Sequence, residues 1–358
     1  MLERFPRRTP WILIGALTLL AAAAPGDAQR RPEKASPAPS GDPYAEYVWP
    51  PPPDTPRIRL EAVLSGRIDV EGESKIGRFL IGASPQGAFD KLRKPYAVAF
   101  DPQGRILVTD WQTGALLRFD LEGRKLDVLG TQGALRLKRP MGLDVAADGT
   151  IFVADLGQAK VLAFGPDGKL AAAFGKGGEL TNPTDVAVAP DGRRIFVVDS
   201  KAHRIVIFDR ATAEKSGEFG RAGEKDGEFA FPTALAFTGD GNLLVVDQIN
   251  ARVQLVSPDG EYLDAFGSRG VGFGEFVRPK DVAVDEVGFI YVIDNAFNNV
   301  QIFDSDFALL TFVGEAGQTP GRFAGASGVA VKGDRFAVVD QLGGRLQLFR
   351  FVVPKTAE

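Results

Sequence analysis

FPTALAFTGDGNLLVVDQINARVQLVSPDGEYLDAFG, residues 231–267, decides the fold. Short apolar runs alternate in it with turn signals. TALAF leads into a turn at Gly239 and Gly241, and LLVVD ends on Asp247. QINA is a polar break, RVQLV alternates, SPDG turns the chain again at Ser257–Gly260, and EYLDAF closes the unit. This reads as four antiparallel strands joined by tight turns, with no helical period inside it.

The unit recurs. Pro95, Pro140, Pro183, Pro232 and Pro279 each open a short apolar strand, and Asp110, Asp155, Asp199, Asp247 and Asp294 each close the next one. A sixth copy lacks the proline but keeps GVAV and a VVD ending on Asp340. Successive aspartates lie 45, 44, 48, 47 and 46 residues apart. Four strands in a period of roughly 40–50 residues predict a propeller blade. The expected fold is therefore all-β, a six-bladed β-propeller of four-stranded antiparallel blades. The last copy has only three strands, and RIRLEAVLS (57–65) resembles the closing strands KLDVLG and YLDAFG. Residues 57–65 are expected to supply the missing strand and seal the ring, leaving no open edge at the seam.

The remaining segments fall outside the repeat. Residues 1–28 read as an export signal, with Arg4, Arg7 and Arg8 before the apolar core Trp11–Ala24 and small Ala28 at the cleavage point. An uncleaved membrane anchor is the alternative, and Arg7-Arg8 hints at twin-arginine export. Residues 29–56 are a proline-dense linker, expected to be extended, with Tyr44, Tyr47 and Trp49 either packing on the outer wall, the favoured reading, or forming a docking motif. Residues 75–91 read as an elaboration with room for a short helix. The propeller is then 57–358, in an exported, periplasmic or extracellular protein and as a monomer.

Composition narrows the chemistry. A net charge of −4 argues against nucleic acid as a partner. No cysteine is present, which rules out disulfides, iron–sulfur clusters and thiol nucleophiles. His203 is the one histidine, too few for a His-based zinc site or a conventional triad. The six repeated aspartates recur at one structural position, so they read as structural: turn acceptors or partners of Lys160, Arg204, Arg252 and Arg345, five residues on.

The repeats resemble the NHL-repeat family of six-bladed propellers. The pattern stands as NPTDVAV…PDG…VVDSKAHRIVIF (182–208) and as RPKDVAV…IYVIDNAFNNVQIF (278–303), and it covers about residues 57–353. The family's Asn-His-Arg stretch is present only as Ala202-His203-Arg204. The resemblance implies the fold more than a reaction, because the family has protein-binding, RNA-binding and lyase members.

Two sets of candidate residues follow. In a propeller the inter-blade loops and the loops between second and third strands open on one face. That face gathers Lys94, Tyr96, Trp111, Arg139, Phe231, Arg278 and Lys280, cations among aromatics that suit a peptide, a protein or an anionic envelope polymer. A non-enzymatic binding scaffold without cofactor is the leading expectation. The rival is a lyase or lactonase holding a divalent cation, calcium above all, on Asn182, Asp185 and Asp281 at the channel mouth.

Overall fold

A computed structural model describes residues 41–72, 87 and 89–352. The export segment and the first part of the linker lie outside these residues, as does most of the 75–91 elaboration. Strand β1 is Val48–Trp49 and β2 is Ile58–Leu64, followed by a single helical turn, α1, at Arg67–Glu71. Six sheets follow. The first is β3 (Pro95–Phe100), β4 (Ile106–Asp110), β5 (Ala115–Asp120) and β6 (Lys125–Leu129). The second is β7 (Pro140–Val145), β8 (Ile151–Asp155), β9 (Lys160–Phe164) and β10 (Leu170–Phe174). The third is β11 (Pro183–Val188), β12 (Arg194–Asp199), β13 (Arg204–Asp209) and β14 (Lys215–Phe219). The fourth is β15 (Pro232–Phe237), β16 (Leu243–Asp247), β17 (Arg252–Val256) and β18 (Tyr262–Phe266). The fifth is β19 (Pro279–Val284), β20 (Ile290–Asp294), β21 (Asn299–Phe303) and β22 (Leu309–Val313). The last is β23 (Ala326–Lys332), β24 (Arg335–Asp340) and β25 (Arg345–Phe351), completed by β2 and edged by β1.

All pairings within these sheets are antiparallel. The fold is an all-β six-bladed propeller. At the seam β2 pairs with β25 in the register Ile58↔Phe351 to Leu64↔Leu346, and Val352 N–H donates to Arg57 O at 2.7 Å. The linker is shorter than its composition suggests. From Asp42 the chain belongs to the same compact unit as the blades, because Tyr44, Tyr47 and Trp49 have an apolar wall to cover. The Trp49 ring meets Phe349 edge-on at 5.5 Å.

The core is divided into clusters that each span two neighbouring blades. Leu107 and Leu116 of the first sheet pack on Leu143 and Val153 of the second, and Val98 and Val108 pack on Val339 and Leu348 of the last. Each sheet thus buries both faces, which one blade alone could not do.

The six repeated aspartates brace this arrangement, and each side chain is fully buried. Asp110 accepts from the N–H groups of Arg93 (2.5 Å) and Lys94 (2.9 Å) before β3, and from Gln112 (3.1 Å) and Thr113 (3.0 Å) after β4. Asp294 repeats the pattern with Val277, Arg278, Ala296 and Phe297. Arg204, Arg252 and Arg345 pair with Asp199, Asp247 and Asp340. One carboxylate therefore ties the entry to its blade's inner strand to the turn after the second strand, which is a structural role.

Candidate functional site at the two mouths of the channel

The two loop sets do share a face. Trp111 N–H donates to Lys94 O, Leu156 to Arg139 O and Asn295 to Arg278 O, each joining a second-to-third-strand turn to an inter-blade loop. Neighbouring blades are also stapled there. Thr233 Oγ1 donates to Lys280 O and Ser327 Oγ donates to Tyr96 O, both at 2.8 Å.

On this face the structure brings four of the nominated residues into two pairs. The Arg139 guanidinium lies 5.3 Å from the Trp111 ring centre, and Lys280 Nζ lies 4.7 Å from that of Tyr96. Both are cation–aromatic distances. Each pair joins different blades, and Lys280 reaches past the last blade to do so. Burial pushes the Lys280 ammonium down to about 8; the Asp281 charge opposes this and Arg278 adds to it. Burial also holds the Tyr96 phenol well above its ordinary value, with the charges of Asp281 and Asp185 adding to the effect. Arg278 is exposed and Lys94 half-buried. Phe231 is 44% exposed and lies apart from the two pairs, against His203 at 4.6 Å. The sole histidine thus occupies a turn, with φ +56°, and Phe231 N lies 3.2 Å from its Nδ1.

Every inner strand carries a register shift just after its opening residue, as between Pro183 and Asp185 and between Pro279 and Asp281. A bulge re-aims side chains. Here Lys280 reaches the Tyr96 ring while the next residue, Asp281, lines the channel. The channel encloses a cavity of about 330 Å³ that runs from Asp185 and Asp281 toward the hairpin turns on the opposite side, where Glu286 and Lys332 stand.

Three of the carboxylates lining this cavity are aspartates, and each of these is held by the following blade. Asp144 accepts from Val188 N–H at 2.8 Å, Asp185 from Leu235 N–H at 3.0 Å and Asp281 from Val329 N–H at 2.7 Å. Burial raises all three above the ordinary carboxylate range. Asp281 is pushed to about 7, and the Asp281 charge raises Asp185 further. Asn182, the third residue of the nominated metal set, is placed differently. Its N–H donates to Asp199 Oδ1 at 2.7 Å and its carbonyl accepts from Ser200 N–H, so its backbone belongs to the blade-entry turn. Among the described residues no three or more His, Cys, Asp or Glu side chains converge in a metal-binding group.

Sequence reasoning missed Asp144. The signal was present in the repeat. The equivalent inner-strand position holds alanine in the other five blades, at Ala99, Ala187, Ala236, Ala283 and Ala330. Asp185 and Asp281 stand out in the same way from Ala97, Gly142, Ala234 and Gly328. Gly142 makes room for one of them: a Cβ there would lie 1.9 Å from Asp185 Oδ1.

The model of the NHL repeat matches residues 180–208. This chain is a six-bladed propeller that carries an NHL repeat. It is 29% identical over 153 residues to peptidyl-glycine alpha-amidating monooxygenase of Mus musculus, covering 39% of this chain and 16% of that one. It is 35% identical over 75 residues to the E3 ubiquitin-protein ligase NHLRC1 of Rattus norvegicus, covering 21% and 19%. The match thus spans less than a fifth of either relative. Among solved structures, a gluconolactonase from Xanthomonas campestris superposes with a TM-score of 0.57 at 20% identity, over 74% of this chain and 88% of that one. Virginiamycin B lyase from Staphylococcus aureus gives 0.52 at 12%, over 72% and 80%. These likenesses show the fold. The propeller fold is shared by proteins of different activities, so function follows from this chain's own site.

Proposed function

We propose that this NHL propeller is a non-enzymatic binding module whose loop face takes an acidic segment of a peptide or protein partner. The observation that carries this reading is the pair of inter-blade cation–aromatic contacts, Arg139 on Trp111 and Lys280 on Tyr96. Each presents a cation already fixed against a flat apolar ring, so little side-chain entropy is lost when a carboxylate docks. Exposed Arg278 and Phe231 extend the same character outward. The likeness to NHLRC1 fits a protein as the kind of partner. With residues 1–28 read as an export signal, the partner is met outside the cytoplasm. Selection of a random peptide library on the immobilised protein tests the proposal. Acidic peptides should be enriched on the wild type and lost on an Arg139→Ala/Lys280→Ala variant. Equal retention on both would end it.

A second reading has one observation in its favour, the convergence of Asp185 and Asp281 on one channel. It is a divalent-cation-dependent lyase or lactonase. Calcium takes six to eight oxygen ligands, and Asn182 is engaged elsewhere by its backbone. Metal analysis of the purified protein decides: bound calcium or magnesium supports this reading, and its absence, with no change in melting on adding either ion, removes it.

A further inference from the structure

The cavity behind the loop face is a site of its own. Its volume of about 330 Å³ falls within the range of small-ligand pockets. Its carboxylates stand at two depths. Asp185 and Asp281 occupy equivalent positions two residues after the start of their inner strands, and Asp144 lies two residues further along its own. At about 3.3 Å per strand residue the two tiers are ~6–7 Å apart along the channel axis. Glu286 extends the acidic line to the rim, where Lys332 is the one cation of the lining among the described residues.

Three further features fit a slender cationic guest. The alanine column (Ala99, Ala187, Ala236, Ala283, Ala330) keeps the bore open and leaves strand backbone facing it. The carboxylates cannot swing away, since each is tied to the next blade's N–H. Asp185 is nine-tenths buried; its Oδ2 accepts from the next blade and its Oδ1 lies over Gly142. Two desolvated carboxylates on one tier repel each other, and a cation placed between them relieves that repulsion.

The geometry points to a linear aliphatic diamine as the ligand of this cavity, one ammonium between Asp185 and Asp281 and the other at Asp144. The five bonds between the nitrogens of 1,4-diaminobutane span ~6 Å when extended, which matches the step between tiers. The fit is to two separated single charges. The cavity opens at the hairpin mouth, and Lys280, which the Asp281 charge reaches, stands at the loop-face end of the tier of Asp185 and Asp281.

Calorimetric titration of the purified protein with 1,4-diaminobutane, n-butylamine and calcium chloride tests this. The diamine should bind at least tenfold more tightly than the monoamine. Asp144→Asn should bring the diamine down to the monoamine's affinity and leave the monoamine unchanged. Asp281→Asn should weaken both tenfold or more. Asparagine keeps an oxygen for the inter-blade N–H, and a cooperative melt would show each variant folded. No diamine binding, equal affinity for diamine and monoamine, or calcium displacing the diamine would overturn the assignment.

Discussion

Glu61 and Arg335, 274 residues apart in sequence, meet across the seam of the ring. The carboxylate of Glu61 accepts from Arg335 Nε at 2.9 Å and Nη2 at 2.6 Å. Arg350 Nη2 adds a third donor at 3.1 Å. Burial alone would raise the Glu61 carboxyl, but the two guanidiniums outweigh it and hold it below its ordinary value. A depressed carboxyl stabilises the fold above its unfolded-state pKa and loses that contribution as pH falls through the folded one. Glu61→Gln should therefore cost about 1–2 kcal/mol at neutral pH, given the partial exposure of the cluster. The melting temperature should fall by ~2–4 °C. The gap between variant and wild type should close in acid, as pH falls through the lowered range where the wild-type carboxyl also protonates. A gap that persists unchanged in acid would contradict the role given to this charge.

The buried aspartates of the blade turns should behave quite differently. Asp247 accepts from Ala230 N–H, Asn250 Nδ2, Arg252 Nε and Gln254 Nε2 at 2.6 to 3.1 Å, with no exposed surface. Asp247→Asn would turn an amide N–H toward donors and leave Arg252 without its buried partner. The expected cost is about 3–5 kcal/mol by chemical denaturation. A loss below ~1 kcal/mol would show that the turn does not depend on this carboxylate.

Removing a channel carboxylate should do the reverse at high pH. The Asp281 carboxyl is pushed to about 7 in the folded state, above its ordinary value of 3.8. The folded protein then holds the proton more tightly than the unfolded chain, so this group's contribution is full below pH ~4 and is lost as pH rises toward ~7. Asp281→Asn keeps the acceptor for Val329 N–H but cannot ionise. The variant should match the wild type near pH 4 and exceed it by ~2 kcal/mol at pH 8. Equal stabilities at both pH values would mean that the carboxylate is well solvated.

Binding at the loop face should carry its own pH signature. The Lys280 ammonium is held down to about 8 by its burial. An acidic ligand recognised by this cation should lose affinity as pH rises from 7 to 9.5, by about tenfold if that one charge dominates. Lys280→Arg should flatten the profile, because a guanidinium stays charged throughout this range. A profile of the same slope in both proteins would assign the titration to another group.

The fold was legible because the same message is written six times. An Asp-terminated second strand and Gly-containing turns agree from copy to copy, a proline leads the inner strand in five of them, and Gly149, Gly192 and Gly241 take the positive φ that their hairpins require. The closing strand was legible for a related reason: the last copy lacks one, and 57–65 looks like the others. The aromatic trio at Tyr44, Tyr47 and Trp49 announced its packing against an otherwise polar, proline-rich background. The site was harder to read. Lys280 and Asp281 are neighbours in sequence, and which of them faces the loops depends on a bulge that their residue types do not encode. Asp199 and its counterparts were expected at a turn, but their hold on the preceding blade entry is a contact over 15–18 residues. Asp144 was visible only by comparing one column of the repeat with itself.

Hydrogen exchange of the protein with and without a selected acidic peptide tests the binding account most directly. New protection should appear on the loop side, at residues 94–97, 109–113, 138–141 and 278–280. Protection confined to the opposite hairpins, 101–105, 146–150 and 285–289, or to the outer strands, would contradict it.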